Sequence, residues 1–301
     1  MIHERVVQFG PQRSLVGIVT QPATGRAGGV PDFVLLNSGV IHRVGSNRLY
    51  VELARALAAH GVTTLRFDLS GIGDSERRSD VGSVREAIQR DVTDAVKYMT
   101  GQGAAGVVLF GLCSGAFDAF RSASAIDHVV GAFMVDMPGP FQSWRHFMHH
   151  VGARLRKSDG PTILAKLLDK STGVLQRIIA DEQPATGVDA CAAPAPAPVS
   201  DGYVVGARAR STREQMAEEL DELLARNVQL YFVFTAGLER NYNHESQFRG
   251  VFPDAARHEG LSHAFLQDAD HAFGTRAARD GLIALVREWV VSNWLRQSDA
   301  A

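Results

Sequence analysis

Residues 111–115, Gly-Leu-Cys-Ser-Gly, constrain the fold of this chain more than any other stretch. They follow the apolar run 107–110 and precede the alanine-rich stretch 114–125, so the pattern predicts a strand, a sharp turn and a helix. Small residues around one nucleophilic residue are typical of a strained turn that presents a side chain above the end of a sheet. Cys113 is therefore a candidate nucleophile, and a small buried thiol is the alternative interpretation.

The segments around this turn alternate between strand and helix patterns. A leading antiparallel hairpin is predicted over 4–9 and 14–20. Short apolar runs predict buried strands over 33–36, 62–68, 107–110 and 129–135. Apolar residues at helical spacing predict helices over 47–60, 84–99 and 114–125. Such alternation predicts an α/β fold with a mostly parallel sheet that helices cover on both faces.

The pattern changes after Pro140, where amphipathic helical pieces replace the alternation. We predict a helical cap, inserted after the sixth strand over 140–226, with a mobile Ala/Pro segment near 191–199. Further strands over 228–234 and 261–266 and a closing helix over 281–295 then complete the core. The core is thus predicted to comprise 1–139 and 227–301.

Charge and composition exclude several classes of function. A formal net charge of −2 gives no electrostatic reason to expect nucleic acid or an acidic membrane surface as a partner. The polar start and the lack of a long apolar run predict a cytoplasmic protein. Cys113 and Cys191, the two cysteines, are too few for a disulfide framework. We expect no metal and no cofactor, since His146, His149 and His150 lack the pattern of further ligands that a metal site needs.

Three motifs, read in order, connect this chain with a known family. They are 66–75 (RFDLSGIGDS), 111–115 (GLCSG) and 270–273 (DHAF). With them the chain resembles the α/β-hydrolase superfamily, of serine-aminopeptidase-like type, over 4–136 and 228–297. It is similar to hydrolases encoded beside exosortase or polyketide and peptide assembly systems. It departs from the common pattern at 37–39, where Asn-Ser-Gly replaces His-Gly, and at Cys113, which replaces serine.

The resemblance implies a base and an acid for the nucleophile. In this family the histidine follows the last strand, which points to His271 in the loop before the closing helix. The acid normally follows the penultimate strand, where Glu239 fits best and is our first choice. Glu245 in the same loop and Asp136 at the end of the preceding strand remain alternatives, because some members of the fold place the acid there.

The resemblance also implies an oxyanion hole built from two backbone N–H groups. One is expected from Ser114, the residue after the nucleophile, and the other from Val40 in the turn after strand 33–36. His42 and Arg43 follow that turn and are candidate ligands for a phosphate or carboxylate of the substrate.

A thiol in the nucleophile position favours acyl transfer through an S-acyl intermediate. The substrate is expected to be a small-molecule or carrier-bound acyl thioester or ester, with an acyl carrier protein as a candidate partner. The enzyme would be a thioesterase, an esterase-type hydrolase or an acyltransferase with a Cys-His-acid triad. The alternatives are a non-covalent binding protein of this fold and a lactone-opening or C–C hydrolase of dienelactone-hydrolase type.

Overall fold

A computed structural model describes residues 2–142, 211–238 and 242–295. The strands are β1 (Ile2–Phe9), β2 (Leu15–Pro22), β3 (Asp32–Leu36), β4 (Thr64–Phe67), β5 (Val107–Leu112), β6 (Val129–Val135), β7 (Gln229–Thr235) and β8 (Leu261–Leu266). The helices are α1 (Leu49–Ala58), α2 (Val84–Gly101), α3 (Ser114–Ala125), α4 (Arg213–Ala225), α5 (Gln247–Val251) and α6 (Arg276–Val290). Shorter 3₁₀ turns lie at Pro11–Arg13, Ser46–Arg48, Ala236–Leu238 and Ala255–Arg257, and a π-helical turn lies at Val291–Leu295.

The strands form one eight-stranded sheet in the order β1-β2-β4-β3-β5-β6-β7-β8. β1 and β2 pair antiparallel, as the predicted hairpin requires, and β2 joins the sheet by antiparallel pairing with β4. All pairs from β4 to β8 in this order are parallel. The predicted mostly parallel sheet is therefore confirmed, and its parallel strands end at a common edge.

Helices cover both faces of the sheet, as predicted. One face packs against α1 and α6, which contribute apolar residues such as Leu53 and Trp289. The other face packs against α2, α3 and α4, through residues such as Val92, Ala119 and Leu220. Strands β3 and β5 have every residue buried, which explains why they appear in the sequence as continuous apolar runs rather than alternating patterns.

Two element boundaries differ from the sequence prediction for local reasons. The closing helix begins at Arg276 rather than at residue 281, because the Thr275 side chain accepts a hydrogen bond from the Ala278 N–H and caps the helix there. The strand predicted over 62–68 is limited to Thr64–Phe67, which is the part that pairs with β3 and β2.

Most of the predicted cap, residues 143–210, lies outside the described residues. The helix α4, which the prediction assigned to the cap, has its apolar residues Met216, Leu220, Leu223 and Leu224 buried in the same core as β5 and β6. Among the described helices, none combines the length with the apolar composition that a membrane span needs.

The sheet topology places the candidate site at one edge. In a parallel sheet the carboxyl ends of neighbouring strands meet, so the residues after β3, β5, β6 and β7 are neighbours although they are far apart in sequence. Asn37, Cys113 and Asp136 directly follow β3, β5 and β6, and Thr235 ends β7.

Candidate active site

Cys113 lies at a sharp turn between β5 and α3, as the motif predicted. Its backbone has φ 57° and ψ −118°, a region that side-chain-bearing residues rarely adopt. Its N–H donates to the Val135 carbonyl at 2.8 Å, so the end of β5 stays tied to β6 up to this residue. The thiol is free and partly exposed, whereas its neighbours on both sides are buried. The turn therefore presents the sulfur at the edge of the sheet.

The two glycines of the motif are required by close backbone contact. A Cβ on Gly111 would lie 2.1 Å from the carbonyl carbon and oxygen of Gly115. A Cβ on Gly115 would lie 2.5 Å from the carbonyl oxygen of Asn37. The first turn of α3 thus packs directly on the backbone of β5 and of the loop after β3, and the geometry of the turn depends on both glycines.

His271 lies in the loop between β8 and α6 and pairs with a carboxylate. Its Nδ1 is 2.8 Å from Oδ2 of Asp136, whose side chain is 1% exposed. The loop is held by the Asp270 carboxylate, which accepts hydrogen bonds from the N–H groups of Ala272 and Gly274. Gly237 allows a close approach, since a Cβ there would be 2.4 Å from the His271 nitrogen. His271 is therefore held in place both through its imidazole and through its backbone.

Asp136 is itself fixed by Thr235 at the end of β7. The Thr235 N–H donates to Oδ1 at 2.7 Å and the Thr235 hydroxyl donates to Oδ2 at 2.7 Å. Asp136 also has a left-handed backbone with φ 49°, which turns the chain directly after β6. Both carboxylate oxygens are thus hydrogen-bonded, and Oδ2 is shared between Thr235 and His271. Thr235 had no assigned role in the sequence analysis, because its partner Asp136 lies 99 residues away in the chain.

Of the three carboxylates considered as the acid, the structure brings Asp136 to His271. Glu239, our first choice from the sequence, lies outside the described residues. Glu245 is exposed, and its backbone carbonyl accepts a hydrogen bond from the Tyr242 hydroxyl. The alternative placement after β6 therefore has direct geometric support, while the placement at Glu239 stays a prediction.

The loop after β3 faces the first turn of α3. In this loop the Gly39 N–H donates to the Ser114 hydroxyl at 2.6 Å. The Ile41 N–H donates to the Ser38 carbonyl at 3.0 Å and so forms a turn. Gly39 has φ 58°, which suits glycine in such a turn. Val40, the predicted second oxyanion donor, follows it with a side chain that is 67% exposed. Ser114 is the first residue of α3, so its own N–H has no partner within the helix.

A buried aspartate ties this loop to the second sequence motif. Asp68 is fully buried and pairs with the Arg43 guanidinium, and its Oδ1 accepts the Arg43 N–H at 2.6 Å. Asn37 bridges the same elements, since its amide donates to Oδ1 of Asp68 at 3.4 Å and its carbonyl accepts the Leu69 N–H at 2.7 Å. Gly73 permits this arrangement, because a Cβ there would be 2.2 Å from Oδ2 of Asp68.

Arg43, which stays a predicted substrate ligand, pairs with carboxylates of the protein itself. Its guanidinium is paired with Asp68 and also with Asp74, at 2.5 Å, and only 17% of its side chain is exposed. The charge is thus used inside the protein, where it holds the loop. His42 is exposed, and its carbonyl accepts the Gly45 N–H at 3.0 Å.

The environment of His271 favours its charged form. The hydrogen bond to Asp136 and then the interaction with Cys113 raise the pKa of His271 to about 10, against the opposing effect of burial. An imidazolium held between a carboxylate and a sulfur is the arrangement that stabilises a thiolate and supplies a proton to a leaving group.

This shift predicts how stability depends on pH. Because the pKa of His271 rises from 6.5 to about 10 on folding, its stabilising contribution is complete below pH 6.5 and is lost as the pH rises through about 10. We therefore expect the free energy of unfolding of the wild type to exceed that of His271→Gln by an amount that shrinks steadily between pH 7 and pH 10. Denaturant unfolding across this range measures the difference.

A matched control is His263→Gln. Burial is the first cause that lowers the pKa of His263 below 6.5, so removing this histidine changes the pH dependence of stability below that value and not between pH 7 and pH 10. A constant difference between the wild type and His271→Gln over the alkaline range would contradict the proposed charge state of His271.

The described residues contain no group of three or more His, Cys, Asp or Glu side chains arranged to hold a metal ion. The histidines at 146, 149 and 150, which the sequence analysis considered as metal ligands, lie outside the described residues.

Comparison with known families gives a match over most of the chain. Residues 33–278 match the family described as the alpha/beta hydrolase family. None of the curated proteins searched matches the sequence.

Solved structures share the fold of this chain at low sequence identity. A Pyrococcus furiosus esterase has a TM-score of 0.57 at 13% identity, over 97% of this chain and 91% of its own. Proline iminopeptidase of Mycobacterium smegmatis has a TM-score of 0.55 at 14% identity, over 96% and 98%. An α/β serine hydrolase without lid from Xanthomonas campestris has a TM-score of 0.52 at 15% identity, over 95% of each chain. The predicted α/β-hydrolase fold is thereby confirmed.

Proposed function

The chain belongs to the alpha/beta hydrolase family, and from this premise we propose that it is an acyl-transfer enzyme that works through an S-acyl intermediate on Cys113. In this proposal Cys113 is the nucleophile, His271 the general acid and base, and Asp136 the acid that orients His271. Asp136 replaces Glu239 in our assignment because Asp136 contacts the imidazole at 2.8 Å.

The observation that carries the proposal is that His271 interacts with Cys113 on one side and with Asp136 on the other. The imidazole bonds the carboxylate through Nδ1, which leaves Nε2 for the sulfur and the substrate. Asp136 cannot turn away, because Thr235 holds both of its oxygens. A merely packed thiol would have no need of an imidazole and a carboxylate aligned behind it.

The reaction follows from the charges. The Cys113 thiolate attacks the acyl carbon and forms the S–C bond, while the carbonyl oxygen becomes an oxyanion that accepts hydrogen bonds from the N–H groups of Ser114 and Val40. The tetrahedral intermediate collapses, the bond to the leaving group breaks, and the His271 imidazolium gives its proton to that group. Neutral His271 then deprotonates water or another acceptor, which attacks the thioester and releases the thiolate.

A thiol nucleophile limits the classes of acyl compound that the enzyme can cleave. A thiolate leaves a tetrahedral intermediate more easily than an amine does, so collapse favours the return of an amide to its starting state. Thioesters, lactones and activated esters carry leaving groups that compete with the enzyme thiolate. Ester cleavage, the activity named for the Pyrococcus furiosus neighbour, therefore suits this site. Because the S-acyl enzyme is itself a thioester, an amine acceptor is as suitable as water, so the proposal includes acyl transfer as well as hydrolysis.

The decisive experiment is the intact mass of the protein after reaction with a panel of acyl-pantetheine thioesters. We expect an acyl adduct on the wild type and on Cys191→Ala, and none on Cys113→Ala. On His271→Ala the adduct should form more slowly by roughly 10²-fold to 10⁴-fold, because proton transfer to the leaving group is lost. Cys191→Ala is the matched control, since it removes the other cysteine of the chain.

Two other results would change the assignment. Tight binding of the same thioesters with no adduct on the wild type would indicate a non-covalent binding protein of this fold. Turnover of lactones or of carbon–carbon bonds, with Cys113 required and thioesters inert, would indicate chemistry of the dienelactone-hydrolase type.

A further inference from the structure

Tyr50 is a buried residue of α1 whose hydroxyl lies beneath the active site. The side chain is fully enclosed, and its ring packs edge-on against Phe110 of β5. The hydroxyl donates to the Leu36 carbonyl at 2.8 Å and accepts the Leu112 N–H at 3.2 Å. One hydroxyl thus bonds two strands, at the last residue of each.

These two backbone groups face each other across the end of the β3–β5 ladder. The pairing runs from Asp32 with Val107 to Leu36 with Gly111, and no later pair is formed between these two strands. In a parallel ladder every second residue of a strand bonds to the residues on both sides of its partner. The Asp32 N–H bond to the Gly106 carbonyl puts Leu36 in that set, so its carbonyl faces the Leu112 N–H. Tyr50 therefore hydrogen-bonds both backbone groups of the last rung of this ladder, the Leu36 carbonyl and the Leu112 N–H.

Beyond this rung the two strands lead to different halves of the proposed oxyanion hole. Leu36 is followed by the loop that contains Gly39 and Val40, and Leu112 is followed by Cys113 and Ser114. The separation of the Val40 and Ser114 N–H groups thus depends on where the strands diverge, and on the Gly39 N–H bond to the Ser114 hydroxyl. A donor displaced by about 1 Å costs on the order of 10²-fold in rate, so this separation matters for catalysis.

We propose that Tyr50 is a positioning residue whose hydroxyl sets the spacing between the nucleophile turn and the oxyanion loop. This inference rests on the proposed function, because it concerns the step in which an oxyanion forms. The hydroxyl of Tyr50 bonds the backbone of Leu36 and Leu112, and in this proposal it acts through them.

The test compares two reactions of the same sulfur. Alkylation of Cys113 by iodoacetamide requires the thiolate and forms no oxyanion, whereas acylation by an acyl-pantetheine thioester requires both. We expect Tyr50→Phe to lower the acylation rate on the order of 10-fold to 100-fold and to leave the alkylation rate unchanged. Phenylalanine keeps the ring in place, and the buried Tyr→Phe change removes about one hydrogen bond's worth of stabilisation, so the variant remains folded.

Tyr242→Phe is the matched control. Tyr242 is also buried, and its hydroxyl also bridges two backbone groups, accepting the Phe248 N–H at 3.0 Å and donating to the Glu245 carbonyl at 3.3 Å. We expect this control to keep both rates while losing a similar amount of stability.

Three outcomes would overturn the inference. An acylation rate of Tyr50→Phe equal to that of the wild type would show that the hydroxyl has no positioning role. A parallel fall of acylation and alkylation would show a general structural role. Failure of the wild type itself to acylate would overturn the proposed function and with it the need for any oxyanion geometry.

Discussion

We expect the Asp136→Asn variant to acylate Cys113 more slowly than the wild type by about 10³-fold to 10⁴-fold. Asparagine has the shape of aspartate, so the fold around it is kept. The loss arises from the hydrogen bonds that the amide group is forced to make.

The orientation of the amide is dictated by Thr235. The Thr235 N–H donates to the Oδ1 position, so the amide oxygen must lie there and the amide nitrogen must take the position of Oδ2. That nitrogen then donates to Nδ1 of His271, which must be unprotonated to accept it. A neutral His271 then carries its proton on Nε2. That nitrogen can therefore no longer accept a proton from the thiol. The variant also loses the carboxylate that raises the pKa of His271.

Stopped-flow acylation with a chromogenic thioester measures this effect, and two variants serve for comparison. Asp32→Asn changes another buried aspartate, which pairs with Arg26 at the amino-terminal end of β3, so it tests for general effects of removing a buried charge. Glu239→Gln tests the acid first predicted from the sequence. A larger loss for Glu239→Gln than for Asp136→Asn would return the role of the acid to Glu239.

The Gly111→Ala variant is expected to lose about 3 kcal/mol of stability or more, and the molecules that still fold should lose acylation activity. The added Cβ would lie 2.1 Å from the backbone of Gly115 and 2.4 Å from the Ala116 nitrogen. Neither neighbour is a flexible side chain, so the whole first turn of α3 must move. Since our proposal places an oxyanion donor at Ser114 in that turn, the displacement is expected to affect both stability and catalysis.

Gly281→Ala is the control for the glycine substitution. Gly281 lies within α6, and a Cβ there would meet nothing within 4 Å. Alanine at an exposed helical position is favoured over glycine, so we expect this variant to gain about 0.5–1 kcal/mol. Thermal and denaturant unfolding of both variants provide the comparison. If Gly111→Ala were as stable as the wild type, the close packing of the turn on the strand would be contradicted.

Local pattern was sufficient for most of the fold. The apolar runs at β3 and β5 and the helical spacing of α1, α2 and α3 are properties of neighbouring residues, and the structure has all of these elements. The predicted boundaries were wrong where a single contact determines the end of an element. Thr275 is the example, because it caps α6 earlier in the chain than the apolar spacing indicated. The turn at Cys113 was also predictable, because its close backbone contacts leave no room for a Cβ and therefore require the two glycines seen in the sequence.

The active-site partners were predictable to different degrees. His271 was located from the order of motifs along the chain, which the family resemblance supplied. The acid was not, because Glu239, Glu245 and Asp136 all follow strands whose ends meet at one edge of the sheet. Arg43 was expected at the substrate, and only the positions of Asp68 and Asp74 show that its charge is used within the protein.

The sequence by itself determined the α/β architecture, the strained turn and the place of the thiol, because each depends on residues close together in the chain. The tertiary structure decided which groups lie beside that thiol and behind them. Asp136 and His271 are 135 residues apart, and Tyr50 is 62 residues from Leu112. Contacts of this kind depend on the parallel sheet register and on the positions of atoms to within a few tenths of an ångström, which no local pattern of residues encodes.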